Sequence, residues 1–151
     1  MHDLSQLAGR IQQLEDVAAI ARITARYAHA VDKGWNGKSI DVAALADVFT
    51  LDATWTSAAQ QVDVAGRDAI IAMLESSTAA VEFAMHSFTN PVITVTDATA
   101  TATWLLWVGV RAGERTNHVY QSEDLTYART TAGWRISSIS LHFGQMLLPS
   151  A

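Results

Sequence analysis

Residues 99–111 of this chain read TATATWLLWVGVR. This segment is the strongest indication of the fold. Threonine, valine and tryptophan all favour β-structure. Every residue from Trp104 to Val108 is apolar, so both faces of this strand need to be covered. We expect helices or a pocket on one face and a second subunit on the other, which predicts a homodimer or a larger homo-oligomer.

Three further segments in the second half of the chain have the period of two that is typical of strands. They cover residues 86–96, 116–129 and 134–143. Short turn sequences such as Ala112-Gly113-Glu114 separate consecutive segments. Because connections this short reverse the chain direction, the neighbouring strands are predicted to be antiparallel.

The first half of the chain has helical spacing instead. Apolar stripes at Leu4, Leu7, Ile11 and Leu14, and then at Ile20, Ile23, Tyr27 and Val31, predict helical structure. Asp16 is the expected start of the main helix and Gly34 its expected stop. Two shorter helices are predicted at 41–49 and 68–76, with a strand at 53–57 between them.

Helices followed by a strand meander indicate an α+β fold rather than a βαβ winding. We expect one domain over residues 1–151, with its N-terminal helices packed on a curved, mainly antiparallel sheet. That sheet should close around one largely apolar pocket.

The composition excludes several functional classes. Half of the 151 residues are apolar, and ten basic against fifteen acidic residues give a net charge of −5 without any basic cluster. A nucleic-acid partner is therefore not expected. No apolar run reaches the ~18 residues that a membrane helix needs. The absence of cysteine and of a secretory pattern predicts a cytoplasmic location.

Known cofactor and metal motifs are absent from the sequence. It contains no glycine-rich phosphate loop and no nucleophile elbow. The five histidines, His2 among them, do not have the spacing of metal ligands. We therefore predict neither a cofactor nor a metal ion.

Three polar residues on apolar segments are candidates for chemistry. Asp32 lies near the end of the main helix, where the helix dipole disfavours a carboxylate; it is either a solvated cap or a buried group that needs a donor. His86 follows Phe83-Ala84-Met85, and is either a core histidine or a general base. Tyr27 lies on the inward helical stripe, and is either a core residue or a proton donor.

Glu123 and Asp124 are adjacent in the middle of a predicted strand. Side chains alternate between the two faces of a strand, so one of these carboxylates should point inward unless a bend exposes both.

Together, these pieces resemble the SnoaL-like superfamily, which shares the cone-shaped fold of nuclear transport factor 2. The resemblance spans roughly residues 10–140 and is carried by Leu14-Glu15-Asp16, Tyr27-x4-Asp32, Leu45-x3-Phe49, Leu51-Asp52-Ala53-x-Trp55, Gly66-x3-Ile70, His86-x3-Asn90-Pro91 and Tyr127-x-Arg129-x3-Gly133-Trp134-Arg135-Ile136.

Within that superfamily the sequence is most similar to cofactor-free lyases, namely scytalone dehydratase, bile-acid 7α-dehydratase and hexachlorocyclohexane dehydrochlorinase. The resemblance implies that Asp32 and His86 form a catalytic pair and that Tyr27 belongs to the same site. Two positions depart from the pattern. Ile139 stands where relatives carry an arginine, and Trp107 stands near the position of an acid, so Glu123 becomes the candidate for the second polar group.

The resulting hypothesis is a cofactor-independent lyase, a dehydratase or related β-eliminating enzyme, acting on a small hydrophobic cyclic substrate. His86 is the expected base and Asp32 supports it, while Tyr27 donates a proton. The expected substrate-binding residues are Phe49, Trp55, Trp107, Gln121 and Glu123. An isomerase or cyclase in the same pocket, or a non-catalytic ligand-binding domain, remain the alternatives.

Overall fold

A computed structural model describes residues 3–147, so the ends of the predicted domain, including His2, lie outside the described residues. The elements are α1 (Leu4–Val31), α2 (Val42–Val48), β1 (Phe49–Ser57), β2 (Val62–Ala65), α3 (Arg67–Ser77), β3 (Phe83–Thr96), β4 (Thr99–Ala112), β5 (Arg115–Thr130) and β6 (Gly133–Leu147).

The six strands form one curved sheet in the order β2-β1-β6-β5-β4-β3. All neighbours are antiparallel except β1 and β6, which run parallel. The predicted α+β class is confirmed. The sheet stays open, however, because in the described part of the chain the edge strands β2 and β3 do not pair. The four-residue β2 is too short to complete a barrel, and α1 packs along β3 instead.

Helix α1 is longer than the sequence indicated. It begins at Leu4, where the side chain of Asp3 accepts a hydrogen bond from the backbone N–H of Ser5. The predicted start at Asp16 is wrong, because that carboxylate is buried in mid-helix and caps nothing. It accepts hydrogen bonds from both guanidinium Nη atoms of Arg129, at 2.8 and 2.6 Å, and one from the indole of Trp134 at 3.0 Å.

The end of α1 fixes the path of the chain towards the sheet. The helix ends at Val31, and Asp32 follows with extended backbone. Lys33 then forms an isolated antiparallel bridge with Ala84 of β3, with N–H···O distances of 3.0 and 3.1 Å. Gly34, the predicted stop, lies two residues past Asp32 at φ +78°, and a Cβ there would be 1.9 Å from the carbonyl oxygen of Glu82. This close approach holds Asp32 beside the start of β3.

The other predicted elements are confirmed, with boundaries shifted by a few residues. The strand at 53–57 extends back to Phe49, and β2 was not predicted. Four residues give too short a pattern for a period of two to stand out. From Phe83 to Leu147 the chain consists of strands and turns, as the sequence predicted.

Alternation along β4 separates the core from the outer face of the sheet. Trp104, Leu106 and Val108 are buried, whereas Leu105 and Trp107 are 49% and 39% exposed. The run is therefore apolar on both faces, and within this chain only the inner face is covered.

Candidate functional site

The concave face of the sheet, together with α1 and α3, encloses a cavity of about 460 Å³. Its wall is largely apolar, with contributions from strands β4 and β5 and from helix α3. Its polar lining residues include Tyr27, His86, Gln121 and Glu123. An apolar cavity with a few convergent polar groups is the usual form of a small-molecule site.

Asp32 and His86 meet at the wall of this cavity. The Oδ1 atom of Asp32 accepts a hydrogen bond from the backbone N–H of His86 at 2.8 Å and lies 3.0 Å from the ring Nδ1. Asp32 is 2% exposed and the side chain of His86 is 19% exposed. An ionised carboxylate can only accept, so Nδ1 carries the hydrogen and Nε2 is left as the basic nitrogen.

Glu123 lines the same cavity. The residue is 2% exposed, and its Oε2 atom makes no hydrogen bond to any described residue. Burial raises the pKa of Glu123 from 4.5 to about 8. At neutral pH this group is therefore largely a neutral carboxylic acid, which has an O–H to donate.

The neighbouring Asp124 points to the opposite face. It accepts hydrogen bonds from Thr103 at 2.5 Å and pairs with Nε2 of His142 at 2.9 Å, in exposed surroundings. The strand alternation thus places one carboxyl inside and one outside, and Glu123 is the inner one.

Tyr27 lies on α1 and is buried. Its ring packs edge-on against Phe49 at 5.6 Å between centroids and lies 6.0 Å from Phe88. Burial, and then the charge of Glu123, raise the pKa of the Tyr27 phenol, so it stays protonated and can donate. The indole of Trp55 is near this hydroxyl, but its Nε1 does not reach hydrogen-bond geometry with any described residue.

Two residues that the sequence assigned to substrate binding lie elsewhere. Trp107 is on the outer face of β4, where it stacks on Tyr120 with 6.3 Å between ring centroids and an interplanar angle of 7°. Trp107 comes three positions after the inward Trp104, and because side chains alternate along a strand it points to the opposite face. Phe49 is a core residue behind Tyr27 and does not line the cavity.

Some lining residues were not predicted. Leu106 and Val108 of β4 take the place expected for Trp107, and Met73 and Leu74 reach the cavity from α3. The alternation that starts at the inward Trp104 could have identified the two β4 residues. No comparable pattern marks the α3 residues in the sequence.

The described region contains neither a cluster of metal-ligating side chains nor a membrane-spanning helix. Within residues 3–147, no three His, Asp or Glu side chains come together as a metal site. The helices of the same region do not include one with the length and apolar character needed to cross a bilayer.

Solved structures share this fold over nearly the whole chain. A hexachlorocyclohexane dehydrochlorinase of type 3 from Novosphingobium barchaimii is 16% identical, with a TM-score of 0.81 and coverage of 94% of this chain and 95% of that one. An NTF2-like protein with a cystatin-like fold from Novosphingobium aromaticivorans is 27% identical, with a TM-score of 0.75 and coverage of 95% and 91%.

A third structure, from N. aromaticivorans, is provisionally named a scytalone dehydratase. It is 19% identical, with a TM-score of 0.78 and coverage of 92% and 91%.

No curated protein sequence matches this chain. The model of the SnoaL-like domain matches residues 12–140, which is most of the chain. This protein therefore belongs to the SnoaL-like family.

Proposed function

We propose that this protein is a cofactor-independent lyase that performs a β-elimination on a small, mainly apolar cyclic substrate. The observation that carries the proposal is the 3.0 Å contact between Nδ1 of His86 and Oδ1 of Asp32 at the wall of the cavity. The likeness of the fold to a dehydrochlorinase and to a provisionally named dehydratase supports the same class by analogy.

In this mechanism, Nε2 of His86 removes an acidic proton from the carbon next to a substrate carbonyl. Asp32 keeps the ring in the tautomer with hydrogen on Nδ1, and its charge stabilises the imidazolium that forms. The neutral phenol of Tyr27 donates to the carbonyl oxygen, where negative charge develops. General-base catalysis contributes about 10²–10⁴-fold, and orientation of the substrate in the cavity supplies further acceleration.

The cavity suits a compact ring system. Its volume of about 460 Å³ lies at the lower end of the range typical of small-molecule sites, about 300–1,000 Å³. Trp55 and Leu106 offer apolar surface, while Gln121 offers an amide for a polar substituent.

An isomerase or cyclase would use the same base and the same donor, and only its products would differ. A non-catalytic binding domain would not need a carboxylate that orients a histidine, so the Asp32–His86 contact favours an enzyme.

We further propose that the functional unit is a homodimer or larger homo-oligomer that covers the outer face of β4 and β5. Leu105, Trp107 and Tyr120 form an exposed apolar patch there, which we call the outer aromatic patch, and each is between 39% and 49% exposed. Apolar groups clustered in this way on one face favour association with another protein surface.

The enzymatic proposal can be tested on a panel of one- and two-ring β-hydroxy ketones, with formation of the conjugated enone followed by absorbance. We expect His86→Ala to lose about 10²–10⁴-fold in rate without a change in melting temperature. His142→Ala is the matched control, since His142 makes a similar pair with Asp124 at 2.9 Å on the outer face. Full activity in His86→Ala would overturn the proposal.

A further inference from the structure

Building on the proposed function, we infer that Glu123 is the general acid of this site and protonates a departing hydroxyl group. The reaction is then a dehydration of a cyclic β-hydroxy carbonyl compound. This assigns a leaving group and a substrate class, which the His86–Asp32 pair alone leaves open.

The first support is geometric. Glu123 is 2% exposed and faces the cavity that His86 also lines. Its Oε2 atom has no hydrogen-bond partner among the described residues. Buried polar atoms normally have partners, because an orphaned one destabilises the fold. A carboxyl left unpaired at the cavity surface therefore fits an acceptor that arrives with the substrate.

The second support is the charge of the surroundings. Among the described residues that line the cavity there is no Lys or Arg to compensate a carboxylate at Glu123. The titratable groups near it are the neutral phenols of Tyr27 and Tyr127, and His86, whose Nδ1 is held by Asp32. This environment favours the neutral acid, and a neutral acid is a hydrogen-bond donor.

The position of Glu123 complements that of the base. His86 is on β3 and Glu123 is on β5, with β4 between them in the sheet. On the inner face of β4, Val108 pairs with His86 and Trp104 pairs with Glu123. Base and acid thus come from two different strands, and both line the same cavity.

Nε2 of His86 takes the proton from the α-carbon, and the electron pair of that C–H bond becomes the new C=C bond. The C–O bond at the β-carbon breaks, and its electron pair stays with the oxygen. That oxygen takes the proton of Glu123 and leaves as water. The protonated His86 then returns its proton to Glu123 through solvent, which restores both groups.

The leaving group separates this inference from a general β-elimination. Hydroxide is a poor leaving group and needs a proton, whereas chloride leaves without one. A general acid at Glu123 would therefore accelerate loss of hydroxyl and give little benefit for loss of chloride.

The test compares 3-hydroxycyclohexanone with 3-chlorocyclohexanone, which both give cyclohex-2-enone, each measured above its uncatalysed rate. We expect Glu123→Gln to lose about 10²–10⁴-fold on the hydroxy compound and less than about tenfold on the chloro compound. Asp124→Asn, which changes the adjacent outward carboxyl, should change neither rate. Equal loss on both compounds, or no loss on either, would overturn the assignment of Glu123.

Failure of the proposed function gives a different result. If His86→Ala keeps elimination of both compounds, or if the native protein turns over neither, the lyase proposal fails. Infrared difference spectra at pH 7 between the native protein and Glu123→Gln test the acid independently. We expect the carbonyl stretch of a protonated carboxyl group, and a carboxylate signal in its place would overturn the inference.

Discussion

One oxygen atom, Oδ1 of Asp32, holds His86 twice, through the backbone N–H at 2.8 Å and through the ring Nδ1 at 3.0 Å. A single acceptor that contacts both groups fixes the ring relative to the strand that carries it. Rotation of the imidazole about its side-chain bonds would break the second contact while the first remained. The ring is therefore held in one orientation, which is the preorganisation that the proposed general-base role of His86 requires.

Removal of the charge at Asp32 should show whether the Asp32–His86 pair has a catalytic or a structural role. Asp32→Asn keeps the size of the side chain but gives no negative charge to stabilise the imidazolium. We expect activity to fall by about 10²-fold or more, with a small change in melting temperature. Rate and thermal unfolding should be measured on the same samples. A large drop in melting temperature with full activity per folded molecule would show that the pair is structural.

Glu123 should make the fold less stable as the pH rises. Burial raises the pKa of its carboxyl from the ordinary value of 4.5 to about 8 in the folded protein. Between these values the folded state holds a proton that the unfolded state has released, so unfolding becomes easier with rising pH. We expect the melting temperature to decline across this interval in the native protein and to decline less in Glu123→Gln. Parallel curves for the two proteins would contradict a raised pKa.

Asp16 should have the opposite effect at low pH. The guanidinium of Arg129 lowers the pKa of this carboxyl from 3.8 to about 2. Its contribution to stability is therefore complete above 3.8 and is lost as the pH falls from 3.8 towards 2. The acid-induced drop in melting temperature should be smaller in Asp16→Asn, which starts from a lower stability. Asp68→Asn, at an exposed pair with Arg67, is the control and should behave like the native protein.

The outer aromatic patch should determine the state of association. We expect light scattering at micromolar concentration to show a dimer or larger species, and Trp107→Lys to shift it towards the monomer. Leu51→Lys, at an apolar residue that is 74% exposed and outside the patch, should leave the native species unchanged. A native protein that is monomeric under these conditions would contradict the proposed interface.

The sequence predicted the helical half and the strand meander because their periodicities are long and regular. The predictions were wrong where a residue contacts a partner that is distant in the sequence. Asp16 looked like a helix start, since a carboxylate before an apolar stripe is the usual signal, but its partner Arg129 is 113 positions away. Trp107 looked like a pocket residue because the run around it is apolar on both faces. The sequence pattern therefore could not tell which residues of the strand face the cavity.

The candidate site could be predicted only in part, because its residues are also far apart in the sequence. Asp32 and His86 are 54 positions apart, so no local pattern joins them, and the family resemblance was needed to suggest a pair. Glu123 and Asp124 were equivalent in the sequence. Only the register of β5, which places Glu123 opposite the inward Trp104, distinguishes the two.

The backbone bridge between Lys33 and Ala84 bears on how this protein could change during evolution. It lies one residue after Asp32 and two before His86, so main-chain hydrogen bonds set the distance between these two residues. The surface that meets the substrate consists mostly of side chains from other elements, such as Leu106 of β4 and Met73 of α3. Substitutions there can reshape the cavity without moving the pair. Under the proposed function, single replacements at these lining positions would change the substrate, while the backbone would keep the geometry of the Asp32–His86 pair.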